Sequence, residues 1–531
     1  MKKLIFILVA ITSLYLSGCK KYLTTTPQDF VTPANYFSTE QQAQLALNGA
    51  FDYMSRQWWY AGYWQARMVD VGDDIYCTLT GQYPANFTSA ASDPAFYNTW
   101  QVLYQCIEQC NVILANIDRV NMDVTKRGYI KGEALFLRAY AFFFLVDQWG
   151  PIPLKLKPTQ DANDIAIPRS PIADVYRQIL QDMTEADSLV PPATETGYGG
   201  NGFPAKTTVE GILARVCLKM AGHPLMDVSK YQDAKMWAQK VVDSHLHSLN
   251  PSYEQVFINM ISNQYDKKES LWEVDFLDEP GLVEHGYTGY LDGLSCPSAV
   301  ADSGACVGQV RCTRVLYNLY AAGDRRRDWC IGTYYFFGSG VNIGKHDNLG
   351  KTSLYERFPG KFRLSYSPPP RLNGRTPVNF PLLRYSDVLL MLAEADNEIN
   401  HGPTGLAYSC VNQVRERAYG KMLPGATNPT EADLPSGMGY QEFSEAIQDE
   451  RAREFPSEGL RKHDMVRWGN MISRLRAVKA DANNPALPKP SASLVTDLNN
   501  IADRVSARDT LWPIPTQELT LNPKATQNPG W

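Results

Sequence analysis

The chain has 531 residues, with 51 Lys and Arg against 56 Asp and Glu, a net charge of −5 and a hydrophobic fraction of 44%. That balance argues against a nucleic-acid partner, because phosphate binding needs a concentrated basic face. The richest basic run, Arg325-Arg326-Arg327, is neutralised by Asp324 and Asp328. The 11 Trp and 29 Tyr suit core packing and equally suit binding surfaces, where one ring face is apolar and the edge is wet.

The first residues read as an export signal over 1–18. Lys2 and Lys3 precede an apolar run from Leu4 to Leu16, which is too short to span a bilayer, and small residues follow at Ser17 and Gly18. Leu16-Ser17-Gly18-Cys19 resembles a bacterial lipobox, so Cys19 is expected to become the lipidated first residue of a chain anchored in membrane lipid. The longest later apolar run, Ala139 to Val146, is far below the ~20 residues of a spanning helix. Cys106 and Cys110 lie four apart on a predicted helix, where a disulfide fits poorly. Cys296, Cys306, Cys312 and Cys330 fall in a loop-rich stretch and could pair in an oxidising compartment. No Cys-x-x-Cys or neighbouring His accompanies them, so no metal site and no cofactor is expected.

An extended leader with breakers at Pro27 and Pro33 ends at Ser38 or Thr39, a helix cap. Ala43, Ala46, Leu47, Ala50, Phe51 and Met54 then share one helical face. Further stripes run through Trp100, Leu103, Ile107, Cys110 and Leu114, through Ile130, Ala134, Leu137, Ala141 and Phe144, and through Val209, Ile212, Leu213 and Val216. Tyr231, Ala234, Ala238 and Val241 continue the series. Close pairing across short turns at 120–125 and 222–229 suggests helix-turn-helix repeats of tetratricopeptide type. Over 261–380 helical periodicity fades; Leu271 to Phe276 alternates like a strand, and Tyr334 to Phe337 is a short aromatic run. Helices return at Tyr385–Asp396 and Phe443–Glu450, before a tail read as irregular after 475. The expected fold is mostly α. Residues 19–260 form a helical scaffold of tetratricopeptide-like pairs, 261–380 an inserted loop-rich lobe, and 381–531 the helices and tail that complete the scaffold.

Several segments, in order, resemble the SusD/RagB family of Bacteroidetes nutrient-binding lipoproteins. They begin with Cys19-Lys20-Lys21-Tyr22-Leu23 and Phe37-Ser38-Thr39-Glu40. They continue with Leu137-Arg138-Ala139-Tyr140 and Trp149-Gly150-Pro151-Ile152-Pro153. The last third holds Leu383-Arg384-Tyr385-Ser386-Asp387, Glu450-Arg451-Ala452-Arg453-Glu454-Phe455, Asp464-Met465-Val466-Arg467-Trp468-Gly469 and Leu511-Trp512-Pro513-Ile514-Pro515. The resemblance implies a lipoprotein on the outer face of the outer membrane. Such a protein captures oligosaccharides and delivers them to a SusC-type TonB-dependent transporter. Lys20 and Lys21 stand where surface lipoproteins of this group often carry acidic residues.

Most matching charged residues read as structure. Arg384, Asp387, Glu394, Arg451, Glu454, Glu458, Arg461, Asp464 and Arg467 alternate in sign and suit an ion-pair network that fixes helix register. No catalytic residue is expected: neither Gly-x-Ser-x-Gly nor His-Glu-x-x-His is present. A glycan site needs rings for the C–H faces of sugars and polar side chains for their hydroxyls. Three segments offer both, and the candidate contacts drawn from them are Trp58, Trp59, Tyr60, Trp64, Arg67, Asp73, Tyr83, Tyr97, Tyr290 and Tyr335. About half of the Trp58-to-Trp64 rings are expected to pack inside. Three alternatives stay open on sequence alone: a secreted glycoside hydrolase, a binding lipoprotein for a peptide nutrient, and an envelope scaffold that binds no sugar.

Overall fold

The computed structural model describes residues 36–79, 81–161, 166–195, 197, 202–277, 285–296, 304–338, 344–347, 354–369, 371, 374–426 and 432–531. The expected signal segment and Cys19 lie outside the described residues.

The chain folds mostly into helices. The first half carries α1 (Glu40–Asp52), α2 (Pro94–Asn116), α3 (Val124–Trp149), α4 (Ile172–Leu189), α5 (Lys206–Ala221), α6 (Lys230–Asp243) and α7 (Tyr253–Ile261). Short helices α8 (Arg314–Leu319) and α9 (Arg326–Cys330) follow. The last third carries α10 (Tyr385–Asn400), α11 (Gly405–Ala418), α12 (Tyr440–Glu454), α13 (Arg461–Arg467), α14 (Met471–Ala482), α15 (Ala492–Arg504) and α16 (Thr516–Leu521).

Local chemistry explains where these helices start. Thr39 caps α1: the Gln42 N–H donates to Thr39 Oγ1 at 3.3 Å, and the Thr39 N–H donates back to Gln42 Oε1 at 3.2 Å. Asp93 and Asp123 cap α2 and α3 through their carboxylates. Successive helices pack as neighbours, α2 on α3, α3 on α4, α5 on α6 and α10 on α11, with α10 also lying against α6. Helices α3 and α10 are buried over most of their length, as central members of a stack must be.

The strands are short and occur in antiparallel pairs. Strand β2 (Ser270–Val274) pairs with β4 (Phe380–Arg384), so the two ends of the inserted stretch are stitched together. Strand β3 (Val310–Cys312) pairs with β1 (Ile75–Cys77), which ties the insert to the segment after α1. Tyr334–Phe337 forms a hairpin strand against Gly344–Asp347. Two sequence expectations change here. The tail after 475 is not irregular throughout, because α15 buries Leu498, Ile501 and Ala502 on one face. The lobe cysteines Cys306, Cys312 and Cys330 are buried free thiols; burial raises the Cys306 thiol to about 12.

The alternating charges of the last third form an ion-pair network, and it is fully buried. Glu454 accepts from Arg417 at 2.6 Å, from Arg384 at 2.8 Å and from Arg326 at 3.0 Å. Glu458 accepts from Arg384 and from Lys361. Asp387 bridges Arg451 and Arg215 at 2.6 Å each, and Arg451 continues to Asp464. Burial alone would raise the Glu454 carboxyl, but Arg417, Arg384 and Arg326 outweigh it and hold the group at about 2. The network joins residues from the insert, β4, α11, α12 and the turn before α13, so it fixes how the lobe sits on the scaffold.

Candidate functional site

Three stretches of chain meet at one open cleft. Helix α1 gives way to a 3-10 turn at Tyr53–Ser55, and the chain then runs through turns to Gly62. The exposed face of α2 forms the second wall. The third comes from the insert at His285 and Tyr287. Together they enclose about 540 Å³ lined by Tyr53, Arg56, Gln57, Trp58, Asn98, Gln101, Val102, Gln105, His285 and Tyr287. That volume lies in the usual range for small-molecule sites, roughly 300–1,000 Å³.

The walls are held by backbone contacts. Thr99 Oγ1 on α2 donates to the Trp58 carbonyl at 3.0 Å. The Tyr287 N–H donates to the Ala61 carbonyl at 2.6 Å. This approach requires glycine at the next position: Gly62 has φ +125°, and an added Cβ would lie 2.9 Å from the Tyr287 Cβ.

Rings form a continuous arc along the cleft. Trp58 meets Tyr63 edge-on at 5.3 Å between centroids. Tyr63 meets Tyr287 at 5.3 Å, and Tyr287 meets His285 at 5.1 Å and Tyr290 at 6.3 Å. Arg67 caps the arc from behind, its Cζ 3.8 Å from the Tyr63 centroid. Asn98, Gln101 and Gln105 of α2 also line the cleft, and Gln57 Nε2 donates to the Tyr287 hydroxyl at 3.4 Å. Arg56 sits at the rim and pairs with Asp52 one turn back. Partly exposed rings and amides in one cleft match what sugar recognition needs, which is apolar faces covered and hydroxyls bonded.

The ten candidates from sequence divide sharply. Trp58 lines the cleft. Arg67 and Tyr290 support its ring arc without lining it. Trp59, Tyr60 and Trp64 do not belong to the surface. Trp59 is fully buried and stacks on Tyr60 and Tyr140; the Tyr60 hydroxyl bonds the Tyr140 hydroxyl at 2.5 Å; Trp64 donates to Gln148 Oε1 at 3.3 Å. These rings anchor the post-α1 turns to α3, because the apolar face of α3 needs covering there. Asp73 is also structural. Burial raises its carboxyl, but Arg461 and Arg474 hold it down to about 2, with contacts of 2.6 and 2.7 Å. Tyr83 and Tyr97 are half-buried away from the cleft lining, Tyr83 opening the turn at Pro84–Asn86. Tyr335 stacks on His346 in the hairpin at 5.6 Å.

Sequence reasoning left Tyr53, Gln57, Asn98, Gln101, Gln105 and His285 out of the site. The amides carried a weak signal, a three-then-four spacing on the polar side of α2, which is also what an ordinary solvent face shows. A second cavity inside the scaffold is lined by Tyr60, Trp64, Tyr140, Asp147, Lys219 and His463 among others and holds about 80 Å³, room for a few waters and not for a sugar. Among the described residues, no group of His, Cys, Asp and Glu is arranged to hold a metal ion.

The family model described as the SusD family matches residues 333–531. A second, described as starch-binding associating with outer membrane, matches residues 37–218. SusD-like protein P2 of Formosa agariphila is 26% identical, with 94% of this chain and 98% of the relative aligned. The chain belongs to the SusD family. A crystal structure of a SusD homolog from Bacteroides thetaiotaomicron superposes with a TM-score of 0.83 at 25% identity, covering 94% of this chain and 98% of that one. A laminarin binding SusD-like protein shares the fold at a TM-score of 0.70 and 21% identity, over 93% of this chain and all of that one. In this SusD-family chain the cleft residues Tyr53 to Gln105 fall within the first matched region, His285 and Tyr287 lie between the two, and the ion-pair network falls largely within the second.

Proposed function

We propose that this protein is a cell-surface glycan-binding lipoprotein of the outer membrane. It captures oligosaccharides in the cleft between Trp58, Tyr287 and the amides of α2, and delivers them to a SusC-type TonB-dependent transporter. The observation that carries this reading is the ring arc from Trp58 to Tyr287 sharing 540 Å³ of open cleft with amides. Membership of the SusD family, with one matched region described as starch-binding, supports a sugar as ligand and the outer membrane as location. Among the described residues no helix is long and apolar enough to cross a membrane.

On this reading the cleft holds the sugar without cleaving it. The buried acids of the network are each committed to arginine. A glycan array on the mature chain, followed by calorimetry and by chromatography of the incubated sugar, tests the reading. The expected result is saturable binding with the oligosaccharide recovered intact. Cleaved product, or no binding to any oligosaccharide, sinks it.

A further inference from the structure

We infer, building on the glycan-binding reading, that the cleft selects uncharged oligosaccharides longer than one sugar, laid along α2, and that Asn98, Gln101 and Gln105 are the residues that read length. Their spacing of three and four places them on one face of the helix. All three line the cleft. None of the three amides is spent on another described residue, whereas amides elsewhere on the protein are: Gln109 donates to the Ala46 carbonyl and Asn111 to the Lys155 carbonyl, on the adjoining turns of the same helix.

Seven residues of helix rise through roughly 10 Å. A single pyranose ring covers only about half of that run, so one sugar cannot engage Asn98 and Gln105 together. An amide side chain both donates and accepts, which matches hydroxyls, themselves donors and acceptors. A ladder of such groups discriminates by the number of hydroxyl pairs that reach it. The local charge agrees with an uncharged ligand: Arg56, in the described lining, is balanced by Asp52. The arc at Trp58 and Tyr287 would hold one ring by its face, and the ladder would hold the sugars that extend from it.

The test is a length series. Oligosaccharides of one to six units from starch and from laminarin are titrated calorimetrically against the mature chain and against Gln101→Ala, Gln105→Ala and Trp58→Ala. The wild type is expected to gain affinity from one to at least three sugars. Gln105→Ala should lose about threefold to tenfold on the longer members and nothing on the shortest. Alanine is the better helix former, so folding is retained, and an unchanged melting temperature checks this. Trp58→Ala should weaken every member. Affinity that is independent of length, or that Gln101→Ala and Gln105→Ala leave untouched while Trp58→Ala abolishes it, overturns the ladder and leaves the glycan site standing. Tighter binding of oxidised, carboxylate-bearing versions of the same oligosaccharides overturns the preference for uncharged sugar. Failure of every member to bind overturns the underlying reading.

Discussion

Replacing Trp58 with alanine separates binding from stability more cleanly than any other change in this protein. The indole is half-buried, with its edge against Tyr63 and the remainder facing the cleft. A fully covered aromatic buries roughly 150–250 Å², so a ring already half covered leaves on the order of 80 Å² for ligand. At about 25 cal/mol per Å², stacking there contributes about 2 kcal/mol, equal to a roughly thirtyfold change in Kd. The folding cost is smaller than for a core ring such as Trp59, because the indole packs against the core only in part and leaves an open face. Calorimetry on the oligosaccharide with the highest affinity, beside thermal melting, measures both. The expected outcome is an affinity loss of ten- to fiftyfold with little change in melting temperature. Unchanged affinity refutes the assignment of the cleft. An equal loss of affinity and of folding would show that Trp58 acts as core.

The neighbouring ring should behave oppositely. Trp59→Ala removes a fully buried side chain and is expected to cost about 3–5 kcal/mol of stability, read by denaturant unfolding, with affinity of the folded fraction retained. Asp73→Ala strands the buried Arg461 and unpairs the partly exposed Arg474 from its carboxylate and should cost about 3–5 kcal/mol, again without a direct effect on binding; a merely exposed acid would cost almost nothing. Gly62→Ala places a Cβ against Tyr287 at φ +125°, so it should cost about 1–3 kcal/mol and weaken binding by displacing the lobe wall. Stability should also depend on pH in two opposed ways. Burial raises the carboxyls of Asp292 to about 6, Asp74 to about 7 and Glu273 to about 8. Each therefore binds its proton more tightly when folded, and its contribution, full below the ordinary carboxyl range, is lost as pH rises through those values. Glu454 and Asp73, held at about 2 by arginine after burial is outweighed, contribute above the ordinary range and lose that contribution as pH falls toward 2. The melting temperature should peak near about pH 5 and fall on both sides, and Glu273→Gln should flatten the alkaline limb. A profile flat from pH 5 to 9 would contradict this.

Much of the scaffold was legible because helical periodicity is local. The stripes at Ala43 to Met54, Trp100 to Leu114 and Val209 to Val216 lie on α1, α2 and α5, each with its apolar face buried. The alternating signs around Arg451 and Asp464 signalled ion pairs, though not that they are sealed from water. Strand β1 and helix α15 were missed. Three residues at Ile75–Cys77 acquire strand character only from their partner Val310–Cys312, and the Pro-rich flanks of α15 masked its apolar face.

The candidate site was less legible than the fold. Sequence by itself determined that five rings crowd the segment after α1 and that some must face water, since no local structure can bury them all. Which ones do was decided by tertiary packing. Helix α3 presents Tyr140 and Phe144, and these take Trp59, Tyr60 and Trp64, leaving Trp58 and Tyr63 to meet Tyr287 from more than 200 residues away. Burial is a property of the partner surface as much as of the residue. A local pattern therefore fixes which face a helix hides, while a cleft assembled from three distant segments exists only once they have packed.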